Sequence, residues 1–100
     1  MSIKASIVTT LIMNALRAGA KPNVVEFLGD LYERTLDIDR NFKNMNPTIV
    51  KAEVEKIEAR LKRAKIYKKE TPFTLRERLL VCREELEAAF KQISKAKRPA

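Results

Sequence analysis

Apolar side chains recur at steps of three and four residues in four successive stretches of this chain. That spacing puts each set on one side of a helix, so every stretch must bury a stripe against its neighbours. Ile3, Ile7, Val8, Leu11, Ile12, Ala15 and Leu16 define the first helix, over about 3 to 18, with Gly19 as its stop. Val24, Leu28, Leu31, Thr35, Ile38 and Phe42 carry the second, which runs to about 42. Asn23 and Glu26 offer it a capping-box start, the Asn oxygen accepting an orphan backbone N–H and the Glu reaching back.

Asn46-Pro47 restarts the pattern, since proline is tolerated at a first helical position where its missing N–H is not needed. Val50, Val54, Ile57, Leu61 and Ala64 form the third seam, whose helix is expected to end near 66 or 67. Thr71-Pro72 and a capping box at Thr74 and Glu77 then open the fourth helix. Leu75, Leu79, Cys82, Leu86, Ala89 and Ile93 carry its seam to about 95, with Leu80 and Phe90 widening the stripe.

Connections of three to seven residues between these helices favour antiparallel neighbours. The expectation is an all-α fold: one four-helix antiparallel up-down bundle with short loops over 1–95, followed by a basic frayed tail over 96–100. The alternative is a winged helix in which EKIEARLKRAKIYKKET runs into a strand at 66–69. The hairpin it needs has no Gly, Asn or Asp turn residue anywhere from 47 to 100. ASIVTTLIMNAL (5–16), with Lys4 before it and Ala18-Gly19-Ala20 after it, has some likeness to a secretory leader. Its two threonines, its asparagine and Arg17 favour an amphipathic structural helix. No run approaches the roughly 18 apolar residues a membrane span needs, so no membrane partner is expected.

The composition excludes more than it suggests. Without histidine there is no Ser/His or Cys/His nucleophile pair and no imidazole proton shuttle. One cysteine cannot form an internal disulfide, a redox pair or a thiolate zinc site, and two glycines cannot build a phosphate loop or dinucleotide fingerprint. The chain reads as no enzyme, with no catalytic residue, no metal and no cofactor. Lone Cys82 suits a reducing, cytoplasmic setting, and its seam position suits core packing. Asp37 and Asp39, two residues apart on a helix, point away from each other and read as solvated surface.

Charge is what remains. The chain carries 21 basic and 13 acidic side chains, net +8. Residues 51–100 hold fifteen of the basic and eight of the acidic ones. RLKRAKIYKKETP (60–72) concentrates the excess. Glu58 is placed to pair with Lys62 one turn on, while Arg60, Arg63, Lys65, Lys68 and Lys69 have no oppositely charged partner by local spacing. Cations at a helix C-terminus serve the helix dipole, and that is the structural explanation of the run.

The functional explanation adds Arg76, Arg78 and Arg83. In an antiparallel hairpin the end of the third helix would meet the start of the fourth, merging both sets into one polyanion-binding patch. Arg60, Arg63, Lys65, Lys68, Lys69 and Arg76 are therefore the expected nucleic-acid contacts of a small regulatory or accessory factor acting on nucleic acid or a nucleoprotein. Tyr67 could stack on a base, though an amphipathic ring with a wet hydroxyl is the favoured reading. Lys91, Lys95, Lys97 and Arg98 could extend backbone contacts. The alternative function is a protein–protein adaptor or inhibitor, of a kind phages and plasmids encode, acting through a helix face or as a homodimer. A first helix left partly uncovered would be its docking surface, although the breadth of its apolar stripe favours a helix that closes the core.

Overall fold

A computed structural model describes residues 3–96, with side chains for 7–95. The four helices are α1 (Ile3–Arg17), α2 (Pro22–Asn41), α3 (Pro47–Arg63) and α4 (Leu75–Ala96), with a 3-10 turn (Phe42–Asn44) closing α2. The described residues contain no strand, so 66–69 is not the wing of a winged helix. The expected tail falls largely on residues 97–100, which lie outside the described set.

Local chemistry sets the helix ends. α1 stops where Gly19 takes φ +91°, with its N–H bonded to Leu16 O and that of Ala20 to Ala15 O. This double closure satisfies carbonyls that the helix would otherwise leave orphaned. At α2 the structure corrects the expected cap: Lys21 is the N-cap residue, no side chain makes a capping hydrogen bond there, and Pro22 occupies the first turn. The Asn23/Glu26 box is not formed, because starting the helix at Pro22 puts Asn23 inside it. Asn46 does cap α3, its side chain accepting from Thr48 N at 2.8 Å, and Thr74 caps α4 by accepting from Glu77 N at 3.2 Å.

α3 ends three residues earlier than its seam suggested. Lys65 adopts φ +62°, Lys65 N bonds Lys62 O and Ile66 N bonds Leu61 O at 2.8 Å. This is the same closure as at Gly19, made with a lysine in the left-handed region that glycine normally occupies. The chain then leaves the helix axis and runs through 64–74 without helix.

That eleven-residue connection overturns the up-down topology. α2 runs against α4, since Asp39 meets Arg76 near one end and Tyr32 meets Glu87 further along. α3 runs in the same direction as α4. Glu58 in mid-α3 faces Arg78 in the first turns of α4, and the segment after α3 lies against Glu85. α1 also follows α4: the short connection from Arg17 to Pro22, with Ile12 against Gly29, sets α1 antiparallel to α2, which is itself antiparallel to α4. A short hairpin would have forced α3 and α4 antiparallel; a connection of this length returns the chain to the starting end instead. Glu85, itself 5% exposed, holds the return by accepting the backbone N–H groups of Lys68 and Lys69, the latter at 3.0 Å.

The core lies along α2 and α4, the most extensive contact of any pair of helices. α1 and α3 flank that pair, and the Cα extents are 46 × 33 × 18 Å. Leu28, Leu31, Thr35 and Ile38 are buried as the seam requires, but at its start the structure substitutes Val25 (2% exposed) for Val24 (38%). Tyr32, absent from the seam, is the largest fully buried side chain. It stacks edge-on with Phe90, centroids 6.4 Å apart, and donates to Glu87 Oε2 at 2.7 Å. Gly29 lets α1 approach: a β-carbon there would stand 3.1 Å from Ile12 Cδ1. Ile7, Met13 and Leu16 remain exposed, so α1 is only partly covered.

Two consequences can be measured. Glu85→Leu leaves two backbone N–H groups without their acceptor and is expected to cost about 2 kcal/mol, lowering Tm by roughly 8 to 16 °C in a chain of this size. An unchanged Tm would show that the return segment is not held by this carboxylate.

Burial pushes the Cys82 thiol from 9.0 up to about 12 and the Tyr32 phenol from 10.0 up to about 12. Both groups therefore keep their protons when folded at pH values where the unfolded chain loses them, and that difference lowers stability as pH rises. The urea midpoint is expected to fall from about pH 9 to about pH 12, and Cys82→Ala should delay the onset to about pH 10.

Candidate nucleic-acid interface

Parallel packing of α1, α3 and α4 gathers three helix C-termini at one end of the molecule. Each carries cations in its last turn: Arg17 on α1, Arg60, Lys62 and Arg63 on α3, and Lys95 on α4. Three aligned C-terminal dipoles put partial negative charge at that end, and each cation there offsets it by about 0.3 to 1 kcal/mol. Lys65 and Lys68 follow on the return segment and are exposed.

The six expected contact residues divide. Arg60, Arg63, Lys65 and Lys68 are exposed and carry no ion pair among the described residues. Arg60 sits at the edge of the set. It lines a cleft of about 600 Å³ between α2 and α3, together with Asp30, Glu33, Asp37 and Glu53, and these carboxylates lower the local potential. Among the described residues no three such side chains converge to hold a metal ion.

Lys69 is engaged, its Nζ donating to Glu84 Oε1 at 2.7 Å, and that carboxylate raises its pKa. Arg76 is engaged too, and it lies elsewhere. It is 3.3 Å from Asp39 Oδ1 and lies 5.7 Å from the centroid of the Phe42 ring. The end of α3 instead docks near Gln92 of α4, sixteen residues from Arg76, or roughly 24 Å along the helix.

Sequence spacing could not show that the other two arginines of the merged patch are also committed. Arg78 makes a two-pronged pair with Glu58, at 2.9 and 2.6 Å, and its Nη2 lies 3.9 Å from Glu55. Glu58 is 5% exposed, so its partner is this arginine across the α3–α4 contact and not Lys62 on its own helix. Arg83 Nη1 lies 3.7 Å from Asp39 Oδ2. Asp39 is thus no solvated surface group: it sits between two arginines of α4. Asp37 is the more peripheral of the two, pairing with Arg40 one turn on.

The aromatics exchange roles. Tyr67 has its hydroxyl buried, burial raises its pKa against a smaller lowering by the Thr71 side chain, and Lys62 Nζ stands 5.2 Å from its ring centroid. The expectation of a wet hydroxyl is therefore inverted. Phe73, unremarked in the sequence, is fully exposed at 103%. The only signal that could have found it is its place between Pro72 and the capping Thr74, where no helical stripe accounts for an apolar residue. The groove beside the return segment, of about 720 Å³, is apolar and lined by Val24, Phe27, Ala64, Ile66, Ala89 and Ile93.

Comparison with protein-family models, with curated proteins and with solved structures finds no match. Function must therefore be read from these residues.

Committed and uncommitted cations are expected to respond oppositely to mutation. Arg78→Met strands a buried carboxylate and should cost about 3 kcal/mol or more, whereas Glu58→Leu with Arg78→Leu should recover most of that loss. Arg63→Met should cost no more than about 1 kcal/mol, the value of a last-turn cation beside the helix dipole. Urea unfolding of the three variants reads all of these.

Proposed function

We propose that this chain is a non-enzymatic regulatory or accessory factor that binds nucleic acid, free or within a nucleoprotein, through phosphate contacts at its cationic end. The observation that carries the reading is that Arg60, Arg63, Lys65 and Lys68 share one end of the fold with no ion pair among the described residues. A cation whose neighbours do not neutralise it releases counterions when it meets a phosphate, and that release drives non-specific binding.

Lys65 adds to the case. It occupies a left-handed position where glycine would avoid the steric cost, and it presents an ammonium there. Lys69 and Arg76 contribute at most long-range field, since each already has a carboxylate partner. A cytoplasmic setting belongs to the same proposal. Among the described residues no helix is long and apolar enough to cross a membrane.

A protein partner is the second reading, favoured by the apolar groove between the start of α2 and the end of α4 and by the exposed Ile7, Met13 and Leu16 of α1. It predicts a complex or a homodimer that persists in moderate salt, because apolar contacts are little screened.

Anisotropy of labelled DNA and RNA titrated with the protein separates the two. With four phosphate contacts the logarithm of the binding constant should fall by about 3 to 4 per decade of salt, followed between about 50 and 200 mM. Arg60→Glu, Arg63→Glu and Lys68→Glu together should abolish binding while the circular dichroism stays unchanged. Binding retained by that variant would overturn the proposal.

A further inference from the structure

Phe73 is the one large apolar side chain of the described residues that nothing covers. A ring left in water forgoes the stabilisation that burial would bring, yet the surrounding backbone holds it there. Upstream, Glu85 fixes the segment by accepting the N–H groups of Lys68 and Lys69. Immediately downstream, Thr74 is tied into the cap of α4 through Glu77 N. Pro72, half-buried, fixes the backbone torsion just before the ring. Phe73 is thus an aromatic face on a tethered support, on the segment that also carries Lys65 and Lys68.

The structure points to a ligand with both phosphates and open base faces, and we propose that the return segment binds a single strand of nucleic acid with one base stacked on Phe73. The inference rests on the polyanion reading above and adds the class of strand to it. Lys68 and Phe73 are five residues apart, at most roughly 17 Å of extended chain, so a few nucleotides would reach from the lysine to the ring. Stacking on an aromatic ring is indifferent to base identity and adds to phosphate contacts. A duplex keeps its bases stacked inside and must be unstacked, at a cost of a few kcal/mol per step, before it can offer a face to a ring.

The chain contains no tryptophan, so Phe73→Trp creates a single fluorescent reporter at the site. The probes are labelled oligo(dT) of about 15 nucleotides, within the range one small binding surface covers, and inorganic polyphosphate, which has the charge without the bases. Phe73→Ala is expected to weaken oligo(dT) binding about 5- to 100-fold and to leave polyphosphate competition and Tm unchanged, since the ring covers nothing. Phe73→Trp should retain affinity, with emission quenched by oligo(dT) and not by polyphosphate.

Equal affinity of wild type and Phe73→Ala for oligo(dT), or equal loss toward both probes, would overturn the inference and leave charge alone as the contact. If the wild-type chain bound neither probe, the polyanion reading itself would fall. The two failures are therefore distinguishable.

Discussion

Glu85 is the residue on which the topology turns. A carboxylate buried on α4 needs donors, and the backbone N–H groups of Lys68 and Lys69 need acceptors once they leave a helix. Each satisfies the other, and the chain after α3 is thereby pinned lengthwise to α4. The left-handed turn at Lys65 aims the chain into that path, and the Thr74 cap ends it. α3 and α4 consequently run in the same direction. The Glu58–Arg78 pair joins mid-α3 to the first turns of α4, so two carboxylates largely withdrawn from water, one held by backbone N–H groups and one by a guanidinium, set how the two helices sit.

The distribution of charge follows from this direction of travel. Had α3 and α4 formed a tight hairpin, the cations of 60–69 would have met Arg76, Arg78 and Arg83. They stand apart instead, and the arginines of α4 face the carboxylates of α2 and α3, where they are neutralised. Three helix C-termini meet at the opposite end, and their last-turn cations have dipoles to complement but few carboxylates. The same cations stabilise helix ends, and in the proposed function they would also meet phosphate; the two roles would differ in how strongly salt affects each.

Much of the architecture was legible in the chain. The seams of α3 and α4 name their buried residues almost completely, because a helix buries what its period places inward: Val50, Val54, Ile57 and Leu61, then Leu79, Cys82 and Leu86. Gly19 and Thr74 terminate helices as their chemistry requires. Reading went astray where two residues compete for one role. Val25 displaced Val24, and Tyr32 entered the core because its hydroxyl found Glu87, fifty-five residues away. That Arg60, Arg63, Lys65 and Lys68 carry charge without a local partner was legible in an unbalanced run. The engagement of Lys69 and Arg76 was not, because Glu84 and Asp39 are distant in sequence.

The sequence by itself determined that this protein is built of four amphipathic helices, where their buried faces lie, and that its positive charge crowds the second half. Those properties follow from periodicity and composition, which are local. Tertiary structure alone decided which way α3 runs against α4, which cations keep a free charge, and that Phe73 rather than Tyr67 faces water. Those properties depend on which carboxylate reaches which donor across the fold, and that is fixed only when the helices have packed.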